Sequence, residues 1–454
     1  MILPFYYGLA RISGILRPGR HGGMGEFAPI PLPPLLDGIS VVIPSRNGRE
    51  LLAAQLPDIV RQLAEFAHEI IVVDNGSDDG TAEWLAGVWP RIVVEISSDP
   101  LSFSRAVNRG IARARYTHIC LLNNDMLLAP NFFGPLGLAF EDIPNLFCAT
   151  AQIRFPSGVR REETGKALLT LEDPEAFPVR CDVPLPGEDQ TWVLYGSGGC
   201  SIYDAAKLRE LGGMDEAYAP AYVEDLDIGY RAWQRGWPTV YVAGSLVEHR
   251  HRATTSRYYT REQLDRFLEI NYLKFLARAV ASPKLFRRLW LHAIRRLRAR
   301  AAHDPAARRA LSIAVAIACS GGPARPSPEP EDTFLALTGG AVAVFPGCGS
   351  TPSNRPNLLV VRPLVTQVPR AGDAGQVLVA FTKDLDAPPP EILSVYAEVV
   401  LVRRRTSGRQ RTDPAFRAAI RQTMRKWRIE KVRLETRRME AYLPDCAPAE
   451  FILT

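Results

Sequence analysis

From residue 38 onward, short apolar runs alternate with stretches whose apolar residues recur every three or four positions. Ile39-Ser-Val-Val-Ile43 is a β-branched run of the kind that forms a buried strand, and Glu50 to Phe66 carries apolar residues at 52, 56, 59, 60, 63 and 66, which is helical spacing. The alternation continues with a strand at Glu69–Val73, a helix at Thr81–Val88, a strand at Ile92–Ile96, a helix at Ser104–Arg115 and a strand at His118–Leu122. Strands alternating with helices predict βαβ units, hence an α/β fold whose parallel sheet is covered on both faces.

Elsewhere the pattern changes. Residues 1–37 are rich in Gly and Pro and predict an irregular arm before the α/β domain, which spans 38–283 and loosens after about 146 into mixed strands and helices. Residues 284–320 read as a basic helical segment and 321–356 as a Pro/Gly-rich linker. Residues 357–454 hold strand candidates at 358–361, 377–381 and 398–402 and a basic amphipathic helix at Pro414–Trp427, a partial second α/β module.

Composition excludes several classes. With 454 residues, 46% hydrophobic and 23% charged, the chain is neither a disordered tail, a collagen-like fibre nor a disulfide miniprotein. No apolar run approaches the roughly 20 residues that span a bilayer, and the opening Met-Ile-Leu-Pro-Phe-Tyr-Tyr lacks the basic lead of a secretory signal. Seven scattered cysteines without a CxxC pair predict reduced thiols and a cytoplasmic setting.

The net charge of +6 is segregated. Residues 37–283 hold 24 Lys and Arg against 33 Asp and Glu, residues 284–309 hold 9 against 1, and residues 401–440 hold 14 against 4. An acidic body argues against a nucleic-acid partner. Each basic stretch is a solvated helix face or an element that rests on an anionic membrane, peripheral at its inner face. The spacing of Leu285, Phe286, Leu289, Trp290, Ile294 and Leu297 permits such peripheral contact, with packing against the α/β domain as the favoured use.

Ligands of open α/β sheets sit beyond the carboxyl ends of the strands. Three polar clusters fall there: Pro44-Ser45-Arg46-Asn47, Asp74-Asn75-Gly76-Ser77 and Asn123-Asn124-Asp125. Asp74 can accept hydrogen bonds from a nucleobase amide or ribose hydroxyl, and Asp125 is a hard oxygen ligand suited to Mg2+ or Mn2+ beside a diphosphate. Taken alone, Asp-Asn-Gly-Ser is also a common turn. Glu224, Asp225 and Asp227 open a helix, where the dipole accounts for one or two acids and leaves one for another task. His249 and His251 follow the strand 239–243, and either is a candidate second metal ligand or a packed or surface residue.

Together these residues resemble glycosyltransferase family 2, the nucleotide-sugar enzymes of GT-A fold. The resemblance runs from Ile39 to Phe275 through Ser-Val-Val-Ile-Pro-Ser-Arg-Asn, Ile-Val-Val-Asp-Asn-Gly-Ser-Asp-Asp-Gly-Thr, Leu-Leu-Asn-Asn-Asp, Tyr195-Gly-Ser-Gly-Gly199, Leu211-Gly-Gly-Met-Asp-Glu216 and Glu224-Asp-Leu-Asp227. It implies a Rossmann-like, mostly parallel sheet followed by a helical stretch. It also implies nucleotide-binding roles for Pro44, Ser45, Arg46, Asn47, Asp74, Asn75, Ser77, Asn108 and Asn124. Asp125 and His249 would bind Mg2+ or Mn2+, Asp225 would be the general base, and Gly198, Gly199 and Glu224 would lie on the acceptor side. The expected activity is inverting, metal-dependent transfer of a sugar from a nucleotide-sugar donor to a glycan or lipid-linked acceptor in polysaccharide biosynthesis. The processive signature Gln-x-x-Arg-Trp is absent, the stretch here being Arg231-Ala-Trp-Gln-Arg235, so the expected enzyme is non-processive. The other reading is a catalytically inactive, nucleotide-binding scaffold. Residues 357–454 resemble the first half of a GT-B glycosyltransferase.

Overall fold

The computed structural model describes residues 2–16, 28–156, 158, 160–161, 167–169, 179–181, 189–250, 255–280, 282–320, 342–349, 356–370, 372–384, 386–403, 414–443 and 451–453. The first half runs α1 (Ile2–Leu16), β1 (Leu36–Ser45), α2 (Arg49–Leu63), β2 (His68–Asn75), α3 (Thr81–Val88), β3 (Val93–Ser97), α4 (Phe103–Arg113), β4 (Tyr116–Leu122), β5 (Met126–Leu128), α5 (Phe133–Asp142) and β6 (Cys148–Arg154). Short strands follow at β7 (Arg160–Arg161), β8 (Ala167–Leu169), β9 (Val179–Cys181) and β10 (Thr191–Val193), then β11 (Cys200–Asp204), α6 (Ala205–Glu210), α7 (Glu224–Gln234) and β12 (Thr239–His249).

Ten strands form one sheet, with the path β10-β12-β6-β11-β4-β1-β2-β3, β5 pairing with β12 and β7 with β6. β3, β2, β1 and β4 are parallel, β11 runs against both β4 and β6, and β12 runs parallel to β6. The sheet is therefore mixed but mostly parallel. Period-2 alternation makes it two-sided: Val41 and Ile43 face the layer of α2 and α5, whereas Val42, Ile71 and Val73 face α4, α6 and α7. In α2 the buried residues Leu52, Leu56, Ile59 and Leu63 form one helical stripe, and the helix stops at Leu63 rather than reaching Phe66.

The N-terminal residues depart from expectation. Ile2–Leu16 is a helix, not part of an irregular arm. Pro4 sits in the first turn, where its missing N–H has no intrahelical partner to lose and its fixed φ suits the helix. The basic segment is also more than one element: α8 (Thr255–Tyr258) and α9 (Arg261–Ala279) lead into α10 (Pro283–Arg300) and α11 (Pro305–Cys319). The last two are divided where Asp304 caps α11 by accepting from the N–H of Ala306 and Ala307.

The apolar positions of α10 are taken up by packing. Leu285, Phe286, Leu289, Trp290, Ile294 and Leu297 are all buried, so that face is closed to a lipid surface. The Trp290 ring stacks on Phe286 at 5.3 Å, and its Nε1 donates to the Ala10 carbonyl of α1 at 2.9 Å. No helix among the described residues is long and apolar enough to cross a membrane.

A second sheet follows: β13 (Val342–Pro346), β14 (Leu358–Arg362), β15 (Val377–Thr382), the short α12 (Pro390–Leu393), β16 (Glu398–Arg403), α13 (Pro414–Trp427), β17 (Lys431–Leu434) and β18 (Phe451–Leu453). Its order is β13-β16-β15-β14-β17-β18, parallel except for the edge strand β13. β13 corrects the linker boundary, since residues 342–346 within the span 321–356 are a paired strand. Arg362, Asp373, Arg433, Glu435 and Tyr396 interlock by buried ion pairs and hydrogen bonds, with Arg362 and Asp373 fully buried at 2.8 Å. The two sheets are joined through α13, whose Arg421 Nη1 donates to the buried Asp142 carboxylate of α5 at 2.5 Å.

Trp290→Ala is expected to lower unfolding stability by about 3–5 kcal/mol, read from urea denaturation. An unchanged transition would show that α1 and α10 do not depend on this ring.

Candidate active site

Five segments reach the same sheet edge. β1, β2 and β4 end there at Ser45, Asn75 and Leu122; the reversed β11 begins there; and β12 ends there at His249. The clusters at 44–47, 74–77 and 123–125 are thus brought together, and Gly198 and Gly199 join them because β11 runs antiparallel.

The β1 and β2 loops are tied to each other. Asn47, at φ +48°, gives its backbone N–H to Ser77 Oγ at 2.9 Å, and its Oδ1 accepts from the Asp78 N–H at 2.8 Å. Asp74 is buried and its Oδ1 accepts from the Ser77 N–H at 3.1 Å. Asp79 accepts from the backbone N–H of Arg49 and from both the hydroxyl and the N–H of Thr81. Partial burial pushes its carboxyl up, but these hydrogen bonds outweigh it and hold the pKa below the ordinary value. Asn124 Nδ2 donates to Ser45 Oγ at 2.9 Å, joining the ends of β4 and β1, and a Cβ on Gly48 would lie 2.3 Å from that amide nitrogen.

Two expected nucleotide contacts have their side chains committed to backbone. Asn75 donates to the Leu101 carbonyl and accepts from the Leu101 N–H. Asn108 does the same with Met214, at 2.8 and 2.9 Å, and so braces the Leu211–Glu216 turn. A local motif cannot reveal this, because Asn108 and Met214 are 106 positions apart.

Asp125 and His249 meet. β12 shifts register against β6 between Val242 and Leu246, and its last residues pair with β5, setting His249 opposite Met126. His249 Nε2 then lies 3.3 Å from Asp125 Oδ2, both side chains largely buried. Nitrogen and carboxylate oxygen at this spacing suit Mn2+ or Mg2+, with the remaining positions open to diphosphate oxygens and water. Among the described residues no cluster of three or more His, Cys, Asp or Glu converges, so an ion here would rely on its ligand for the rest of its shell. His251 lies outside the described residues.

The acids of α7 separate by environment. Asp227 is buried against Arg231 at 2.6 Å and accepts from Tyr218 OH at 3.0 Å, while Arg231 also donates to the carbonyls of Leu211 and Gly213. Asp225 is half-buried, with Gly198 beside it: a Cβ there would come within 3.8 Å of Asp225 Cβ and 3.3 Å of Phe103. A Cβ on Gly199 would lie 2.5 Å from the Asn123 side chain, so this Gly pair bridges the base of α7 and the Asn123–Asp125 loop. Glu224 is buried and its Oε2 has no hydrogen-bond partner among the described residues. Burial, and then the neighbouring Asp225 charge, push its pKa up to about 8.

The turn into α7 is strained. Tyr222 and Val223 take φ +78° and +80°, costly for residues with large or branched side chains. The buried Asn271 of α9 holds it by donating to the carbonyls of Tyr218, Ala221 and Tyr222 at 2.7, 3.0 and 3.2 Å. Sequence reasoning missed Asn271, although one amide among the apolar residues of α9 is a signal. It also missed α8, where Arg257 donates to the Asn47 carbonyl at 3.0 Å and the Tyr258 ring lies 3.9 Å under the Arg46 guanidinium.

Residues 40–212 match the family model described as Glycosyl transferase family 2. Of the curated relatives, "Uncharacterized protein y4gI" of Sinorhizobium fredii is 24% identical over 52% of this chain and 27% of its own length. The N-acetylglucosaminyl-diphospho-decaprenol L-rhamnosyltransferase of Mycobacterium tuberculosis is 25% identical over 41% of this chain and 68% of its own. The chain thus spans little more than a quarter of the first relative and about two thirds of the second. Among solved structures, the mannosyltransferase PcManGT from Pyrobaculum calidifontis, in complex with GDP-Man and Mn2+, matches with a TM-score of 0.40 and 16% identity over 68% of this chain and 84% of that one.

Folded Glu224 keeps its proton up to about pH 8, against 4.5 for an ordinary glutamate. The folded chain therefore binds more protons across that window, and its stability falls as pH rises through it. Glu224→Gln is expected to flatten this decline in melting temperature against pH.

Proposed function

We propose that the chain is a nucleotide-sugar-dependent glycosyltransferase that inverts configuration at the transferred sugar and does not act processively. The observation that carries this reading is the meeting of Asp125 and His249 at 3.3 Å on the sheet edge that Gly198 and Gly199 connect to Asp225. The family 2 match over residues 40–212 supports it.

The nucleoside fits against the ends of β1 and β2, where Asp74 is anchored by Ser77 and Arg46 is held over Tyr258. Asp125 and His249 would hold a divalent cation, which when bound neutralises the charge of the departing diphosphate. Asp225, half-exposed where its two neighbouring acids are buried, removes the proton from the acceptor hydroxyl as that oxygen attacks the anomeric carbon. Attack opposite the leaving group inverts the centre. Glu224, protonated beside it, keeps a second negative charge away from the base. Asn271 acts as a positioning residue by fixing the turn that aims α7. The acceptor is a glycan or lipid-linked sugar, in line with the decaprenol-linked acceptor in the rhamnosyltransferase relative's name.

Release of nucleoside diphosphate from a panel of sugar nucleotides, with Mn2+ and with EDTA, tests the class: turnover with one donor and its loss on chelation are expected. Asp225→Asn is expected to lower transfer by at least about 1000-fold while donor binding by calorimetry stays near wild type. Full transfer by that variant would remove the base assignment. Donor binding without turnover on any acceptor would instead favour the scaffold.

A further inference from the structure

We propose that α1, with the arginine-lined flank of α10, is a docking surface for an anionic lipid bilayer. This rests on neither the donor chemistry nor the base assignment. One side of α1 packs on the protein through Ala10, Ser13 and Gly14, the last so close that a Cβ would run into the Trp290 ring. The opposite side is apolar as well. Phe5, Leu9, Ile12 and Ile15 recur at four-, three- and three-residue steps and are 63%, 38%, 51% and 42% exposed, so four of the exposed large apolar side chains among the described residues share one short helix. Its only charged residue is Arg11, also exposed.

Cations flank this stripe. α10 runs antiparallel to α1: Arg287 donates to the Ile15 carbonyl at 3.3 Å, Trp290 reaches Ala10, and the Arg298 guanidinium lies 6.0 Å from the Tyr7 ring. Lys284, Arg287, Arg288 and Arg295 are exposed along α10, which contains no acidic residue. An apolar ridge beside a cationic one is the pattern of a helix lying in the interface plane, with its side chains in the headgroup boundary and its charges over anionic lipid. At about 1.5 Å per residue the helix is roughly 22 Å long, which suits lying on the surface rather than crossing it. A second copy of the chain fits less well, because a two-fold contact on this stripe would bring like-charged ridges together.

The test is cosedimentation of the full chain with phosphatidylcholine vesicles and with vesicles also containing phosphatidylglycerol. Binding to the anionic vesicles, weakened by salt, and weak binding to the neutral ones are expected. Leu9→Gln with Ile12→Gln is expected to lower partitioning at least roughly tenfold, with an unchanged melting temperature. Arg288→Gln with Arg295→Gln is expected to reduce the salt dependence. Equal or absent binding to the two vesicle types in the wild-type chain overturns the proposal, whether or not the variants fold. A dimer on gel filtration that Ile12→Gln dissociates also overturns it, because the stripe would then belong to a second copy.

Discussion

The backbone ladder between β5 and the end of β12 is the constraint on which the candidate site depends. β12 begins as an ordinary strand beside β6, shifts register after Val242, and continues far enough to pair with β5. A strand that stopped at Ala243 would leave His249 in a loop. Because it continues, the imidazole is delivered to Asp125 by main-chain hydrogen bonds, which side-chain changes nearby do not readily move. The reversal of β11 does the same for Gly198 and Gly199, placing the start of that strand where its parallel neighbours end.

Around this ladder the polar residues divide into those that build the crevice and those left open to it. Asn75 and Asn108 satisfy distant backbone groups, and Asp227 is closed in by Arg231 and Tyr218. Polar groups withdrawn from water must find partners or incur a desolvation cost, and the half-buried Asn75 and Asn108 and the buried Asp227 do so within the protein. Asp225 keeps solvent contact. Glu224 is the exception, since its carboxyl is buried beside another acid and stays neutral well above the ordinary glutamate range. With the left-handed Tyr222 and Val223, it concentrates strain at the start of α7, the place where stored strain most often accompanies function.

The helical layer links this region to the rest of the chain. α9 carries Asn271 to the strained turn and also carries Glu269, which pairs with Arg296 and Arg300 of α10. α10 in turn seats α1. The basic character of residues 284–309 thus has two physical meanings: some arginines are buried structural partners of carboxylates, and others form an exposed ridge. The second sheet joins through Asp142 and Arg421, a contact between positions almost 280 residues apart.

Local sequence determined the parallel βαβ core, the three polar clusters at strand ends and the acids opening α7, because hydrophobic period and turn chemistry are properties of neighbouring residues. Strand and helix positions in residues 38–125 were legible to within a few residues, and so were β14, β15, β16 and α13. Tertiary structure alone decided that His249 meets Asp125, that Asn75 and Asn108 serve backbone, that α10 buries its apolar face, and that Ile2–Leu16 folds as a helix with a stripe left over. Each depends on a partner far along the chain, and a hydrogen bond between residues 106 positions apart leaves no periodic trace in sequence.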